Sequence, residues 1–205
     1  GKSYLSFAAY HYFANILGRQ VRMTGVDLKP DVIAHCSRVA ADLGFAGLEF
    51  VCGDVSRYDA GGHVHLVLSL HACDTATDLV LRRAVDWSAE VILSTPCCHH
   101  ELNHSLNCPP LSFVAEHSML RQKLCDAATD ALRLKYLESE GYEVCALELI
   151  DPEETPKNIM LRGLRRSGPD SPAAMRAREE YLAARQFLTG GEHRVQLVLC
   201  PPVQA

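Results

Sequence analysis

An α/β fold, doubly wound about a mostly parallel sheet, is what this sequence predicts, on three observations. Segments with helical period alternate with short strand-like segments through most of its 205 residues. One strand-like run, "VHLVLSL" (Val64 to Leu70), is apolar almost throughout, as strands covered on both faces are. Acidic or histidine-rich turns follow the strands at their carboxyl ends, where such sheets collect ligands: Asp27, Asp54, "HACDTATD" and "PCCHHELN".

Lys2 to Leu17 reads as a helix, because Tyr4, Leu5, Ala8, Ala9, Tyr12, Phe13 and Ile16 make a broad apolar face. "VRMTGVD" reads as a strand ending at Asp27. "KPDVIAHCSRVAADLG" follows as a helix, with Pro30 in its first turn and Gly44 as its stop. "LEFVCGD" is a strand ending at Asp54, and the Val64 to Leu70 strand comes next. A helix from about Thr75 to Trp87 leads to the strand "EVILSTP", closed by Pro96. A loop rich in Asn and Pro then enters a long helix that ends near Glu140, where Gly141 marks the break. "YEVCALELI" and "NIMLRGL" read as two further strands. A linker at Ser167 to Ser171 precedes a helix from about Pro172 to Leu188, and "RVQLVLC" reads as an edge strand blunted by Pro201 and Pro202. The expected organisation is one domain over residues 1–166, with residues 167–205 supplying a C-terminal helix and edge strand packed on it.

With 48% hydrophobic and 22% charged residues the composition is that of an ordinary globular protein, and the apolar runs are too short to cross a bilayer. A net charge of −5 does not point to nucleic acid as a whole. Arg162, Arg165, Arg166, Arg176, Arg178 and Arg185 could still form a local basic patch; with Glu179 and Glu180 interleaved, a solvated helix face fits equally well. The nine cysteines are odd in number and scattered, and most sit inside apolar segments (Cys36, Cys52, Cys125, Cys145, Cys200). This predicts reduced, buried thiols in a cytoplasmic protein. No C-x-x-C pair occurs, so the strongest zinc and redox signatures are missing.

An acid at the end of a strand can accept from both hydroxyls of a ribose, and Asp54, after Gly53, can accept from an adenine amino group. The alternative for either acid is a turn or helix-cap role; for both at successive strand ends, the cofactor reading is preferred. "GKSYLS" looks like the second half of a glycine-rich strand-to-helix turn, in which Gly1 allows close backbone approach and the helix start faces an anion.

"GKSYLSFAAYHYF", "GVDLKPDVI", "LHACDTATD", "PCCHHELN" and "TPKNIMLRG" together resemble the class I S-adenosylmethionine-dependent methyltransferase domain of a bacterial and eukaryotic methyltransferase-like family. A more distant resemblance is to tRNA 2′-O-methyltransferases with a similar "ATDL" and "CCHH" pairing. The resemblance spans Gly1 to Gly163. It implies a Rossmann-like α/β sandwich, mostly parallel with an antiparallel edge, and S-adenosyl-L-methionine as cofactor. The cofactor would be held by Gly1, Lys2, Ser3, Asp27, Leu28, Asp54, Val55, Leu70 and His71. The family's first strand and the start of its glycine motif are absent, so the chain begins inside that motif. The missing strand would lie between the strands ending at Asp27 and Leu70; the chain as numbered is therefore expected to bind cofactor poorly and to self-associate through the exposed edges.

The "PCCHH" stretch is a poor zinc site, because adjacent residues of an extended chain point to opposite sides and a zinc tetrahedron needs about four convergent ligands. No metal is assigned. The stretch is expected to line the substrate side of the site, with Cys73, Pro96, Cys97, Cys98, Lys157 and Asn158. Methyl transfer mainly needs alignment, and an acceptor that must lose a proton also needs a base; His71, Asp74, His99 and His100 are the candidates. The function expected is an S-adenosylmethionine-dependent methyltransferase acting on RNA. The alternatives are a protein or small-molecule methyltransferase, or a non-catalytic binding module on the same fold. A dehydrogenase is disfavoured, because "GKS" departs from the dinucleotide pattern.

Overall fold

The structure, a computed structural model, describes residues 3–70, 72, 74–97, 99–149 and 158–190. It has two compact units, Gly1–Gly61 and Gly62–Ala205.

In the first unit, α1 (Tyr4–Tyr10) runs on into a π-helical turn, His11–Ile16, where the N–H of Leu17 donates to the carbonyl of Tyr12. The helix expected over this stretch is therefore present, wound wider in its second half. Strand β1 (Met23–Asp27), α2 (Pro30–Asp42) and β2 (Leu48–Cys52) follow, and β1 and β2 pair in parallel with Asp27 beside Cys52. Gly44, at φ +68, ends α2 as expected. Tyr10, Ala40, Phe45 and Leu48 form the small core, with Phe7 and Phe50 against it. The Tyr10 hydroxyl accepts the Gly47 N–H at 2.9 Å. A side chain at Gly47 would drive its Cβ to 2.2 Å from the Val21 carbonyl, so only glycine lets the chain pass beneath that tyrosine.

The second unit holds β3 (Leu66–Leu70), α3 (Thr75–Asp86), β4 (Val91–Thr95), short helices α4 (His100–Ser105) and α5 (Ser112–Ala115), and the long α6 (Ser118–Ser139). Strands β5 (Tyr142–Glu148) and β6 (Ile159–Arg165) and helix α7 (Pro172–Thr189) complete it. The sheet order is β3-β4-β6-β5; β3 and β4 are parallel, and β6 is antiparallel to both of its neighbours. This is the parallel core with antiparallel edge that the sequence predicts.

Leu81, Ala84, Ala89, Ile92, Leu102, Cys125, Leu137 and Tyr142 are among the core residues, and the Tyr142 hydroxyl donates to the Ala89 carbonyl at 2.8 Å. Gly141, at φ +90, turns α6 into β5 with the Ser167 carbonyl 2.3 Å from where a Cβ would stand. Helix α7 packs along α6, with Lys135 bridging to Glu180 at 2.9 Å and the rings of Tyr136 and Tyr181 in contact.

Two features differ from expectation. The segment after Pro96, read as a loop, contains α4, because Asp74 caps its start from a distant turn. Strand β3 alternates half-buried and buried residues, and Leu70 is exposed; among the described residues it pairs only with β4 and has no strand on its other side. The expected closing strand "RVQLVLC" lies outside the described residues.

Candidate active site

Within the first unit, the chain leaves β1 at Asp27, whose Oδ1 accepts the Lys29 N–H at 2.9 Å, and Leu28 stands largely exposed beside it. One strand over, the chain leaves β2 through Gly53, whose N–H donates to the Asp27 carbonyl at 3.0 Å. Asp54 follows and accepts the Ser56 N–H at 2.8 Å, capping a single 3-10 turn, Val55–Arg57. That hydrogen bond, joined by one from the Ser56 hydroxyl, holds the Asp54 carboxyl below its ordinary pKa. Both acids thus stand, ionised, at the carboxyl ends of adjacent parallel strands. Each also makes the local turn that was the alternative reading. Ser3 precedes α1 in the left-handed conformation, φ 53 and ψ 27, a backbone state that costs a serine about 1–2 kcal/mol.

Within the second unit, the carboxyl ends of β3 and β4 lie side by side, with Leu70 in register with Thr95. Ser69, Ser94 and Thr95 are buried there, and the Thr95 hydroxyl has no hydrogen-bond partner among the described residues. Asp74 has φ 50 and ψ −120, a backbone state rare outside glycine. Its Oδ1 accepts the N–H groups of His100 at 3.1 Å and Glu101 at 3.3 Å, so the turn after β3 caps the helix after β4. His100 presents an exposed side chain from that capped end. Pro96 is buried and Cys97 half-buried. Asn158, also buried, precedes β6, the strand that pairs with β4.

His99 is buried, 3% exposed, with Nε2 2.8 Å from Asp130 Oδ1 and Nδ1 3.3 Å from Asp126 Oδ1. The second contact lacks hydrogen-bond alignment. Asp130 also receives Arg133 Nη1 at 3.0 Å; Arg133 Nε donates to Asp78 at 2.7 Å and Nη2 to the Asp74 carbonyl at 3.0 Å. Burial opposes the charge of Arg133, but the carboxylates of Asp78 and Asp130 outweigh it and push its pKa up. Asp74, Asp78, Asp130, Arg133 and His99 are therefore one connected network. It fixes the histidine as an internal strut where the sequence suggested a wall facing the substrate.

Sequence reasoning passed over Glu101. It is half-buried, one carboxylate oxygen is buried without a partner among the described residues, and its pKa is pushed up to about 7, first by burial and then by the charges of Asp78 and Asp74. A carboxyl poised near neutrality at the carboxyl end of β4 can take or give a proton. The sequence signal was only its place in "HHELN"; desolvation could not be read there. His71, Cys73, Cys98, Lys157, Gly1 and Lys2 lie outside the described residues. Two shallow cavities, one beside α6 and α7 (about 370 Å³) and one beside α2 and β2 (about 480 Å³), are lined by none of the expected site residues.

The model of a family described as a methyltransferase domain matches residues 1–105, α1 through α4, which is just over half of the chain. The chain belongs to this methyltransferase domain family. The family region contains Ser3, Asp27, Asp54, Asp74, His99, His100 and Glu101, and the fold is the α/β sandwich of class I methyltransferases, a parallel core with antiparallel edge strands. No curated protein matches this methyltransferase domain. Solved structures similar to it include an rRNA methylase from Streptococcus thermophilus, with TM-score 0.47 and 10% identity over 76% of this chain and 80% of that one. The 23S rRNA methyltransferase ErmE has TM-score 0.48 and 13% identity over 97% of this chain and 71% of its own. The N-methyltransferase NodS from Bradyrhizobium japonicum WM9 has TM-score 0.46 and 8% identity over 78% and 82%. At those values the likenesses carry no argument about mechanism or acceptor.

Proposed function

We propose that this methyltransferase domain uses S-adenosylmethionine and transfers its methyl group to an acceptor that must shed a proton, with RNA as the acceptor class. The observation that carries the reading is the pair of carboxylates, Asp27 and Asp54, at adjacent parallel strand ends inside the family region. These residues fit the cofactor: Asp27 supplies an acceptor for ribose hydroxyls beside the exposed Leu28, and Asp54 with Val55 supplies an acceptor for an adenine amino group. Ser3 and Leu70, and with them Gly1, Lys2 and His71, belong to the same reading as further cofactor contacts. When bound, the cofactor supplies a methyl carbon already activated by its sulfonium, so the protein's task is alignment and proton handling.

Glu101 is the base we assign on the substrate side, where the expected His71, Asp74, His99 and His100 were candidates. Asp74 and His99 are reassigned as positioning residues, because the one caps α4 and the other is clamped to α6. His100 remains a candidate contact to substrate, with Pro96, Cys97 and Asn158, and with Cys73, Cys98 and Lys157. A ribose hydroxyl suits a carboxylate base, since it must be deprotonated as it attacks. The arginines of the C-terminal stretch favour a second reading, a protein or small-molecule acceptor: Arg166 is paired to Glu143 at 2.9 Å and Arg178 to Glu140 at 3.5 Å, which spends part of the basic patch.

The test is labelled-methyl transfer from S-adenosylmethionine onto total RNA and total protein, with S-adenosylhomocysteine binding measured by calorimetry at concentrations that saturate a weak site. Asp27→Ala should weaken binding by roughly 2–4 kcal/mol, two hydrogen bonds to a charged group. Unchanged affinity would sink the cofactor assignment. Label in protein or in small molecules alone would move the acceptor to the second reading. Binding without transfer to any fraction would identify a non-catalytic module.

A further inference from the structure

We infer that His63, His65 and Glu90 form a site for a divalent transition-metal ion of the zinc class, at the end of the sheet opposite to the methyltransferase site. In the segment that enters β3, the Val64 carbonyl accepts the Glu90 N–H at 3.2 Å and the His65 carbonyl accepts the Val91 N–H at 2.9 Å. This backbone pairing sets Glu90 abreast of residues 63–65. His63 and His65 flank Val64 just ahead of the strand, and a backbone bend at His65 leaves their rings together. Their rings are 4.5 Å apart and nearly perpendicular, at 87°. His63 Nε2 is 2.7 Å from Glu90 Oε1, and one ligand atom from each of the three residues lies within 4.8 Å of the others.

Imidazole and carboxylate are the donors that zinc, cobalt, nickel and copper accept. Ligand atoms about 2.0–2.2 Å from a tetrahedral zinc stand roughly 3.3–3.5 Å apart, so the widest pair must close by at most about 1.5 Å while His63 and Glu90, now hydrogen-bonded, must spread by somewhat less than about 1 Å. All three side chains are exposed, so χ rotation can supply that movement, and water can fill the remaining position. A surface pair between His63 and Glu90 alone would be worth at most about 1 kcal/mol and would not need His65. The cluster lies before the first residues of β3 and β4, about 16 Å along five-residue strands from Leu70 and Thr95. The ion would act as a staple holding the entry of β3 to β4 and would take no part in methyl transfer. Reading the sequence alone assigned no metal, because it weighed only the "CCHH" stretch.

The test is titration of the whole protein with zinc against a chromophoric chelator in reducing buffer, alongside His65→Ala and Glu90→Gln. One equivalent should bind, each substitution should weaken it by more than about tenfold, and zinc should raise the melting temperature of the unsubstituted protein only. Cobalt in the same site should lack a sulfur-to-metal charge-transfer band. Absence of a bound equivalent, affinity unchanged from the unsubstituted protein in both variants, or a thiolate band would overturn the proposal; the last would put the ion on cysteines. Because methyl transfer is not read, failure here leaves the cofactor assignment standing.

Discussion

Glu101 combines three conditions that no short motif encodes: partial burial, an unpartnered oxygen, and the nearby charges of Asp74 and Asp78. Its pKa of about 7 has two consequences of known sign. Between pH 4.5 and about 7 the unfolded chain releases the Glu101 proton while the folded chain keeps it, so stability falls as pH rises through that window. Glu101→Gln should remove that slope and stabilise the protein at pH 8 by about 1 kcal/mol, a value discounted because the side chain is half-exposed. Urea unfolding at pH 5 and pH 8 measures it; identical slopes in both proteins would contradict the assignment. As a base Glu101 must be ionised, so methyl transfer should rise through about pH 7. Glu101→Gln should lower the rate by about 10²–10⁴ and flatten that limb.

Helix α4 exists because Asp74, 26 residues before His100, satisfies two of its first N–H groups. Asp74→Ala should cost about 1 kcal/mol, whereas Asp74→Asn, which keeps an acceptor oxygen, should retain both melting temperature and turnover. Loss of turnover in Asp74→Asn with normal melting would restore Asp74 as a catalytic residue. Helices α3 and α6 are joined by Arg133, which reaches Asp78 on the first and Asp130 on its own helix. Arg133→Met would leave two buried carboxylates without their cation and should cost about 3–5 kcal/mol in chemical denaturation. Replacing Asp78 by Asn in the same chain should recover part of that loss; no recovery would mean that packing, and not charge, sets the cost. The helices themselves were legible from period, Pro30 and Pro172 at their starts, and Gly44 and Gly141 at their ends. Helix α4 was not, because its six residues lack a capping residue of their own.

On the scale of the whole chain, β1 pairs only with β2, and β3 only with β4, among the described residues. A strand edge with no partner strand is a template for another chain. The chain is expected to self-associate as its concentration rises, and sedimentation velocity over a concentration series checks this; a monomer throughout would contradict it. The family resemblance implied the antiparallel edge; the sequence by itself determined the alternation of strands and helices, the mostly parallel sheet, and the acids at the ends of β1 and β2. Those follow from local period, from glycine and proline, and from the rule that strand ends carry ligands. Only the tertiary structure decided which partners the histidines and acids meet. His99 meets Asp130 across 31 residues, Arg133 meets Asp78 across 55, and Glu90 meets His63 across 27. Burial and charge at such sites depend on neighbours that only folding brings within a few ångströms, and no spacing along the chain records them.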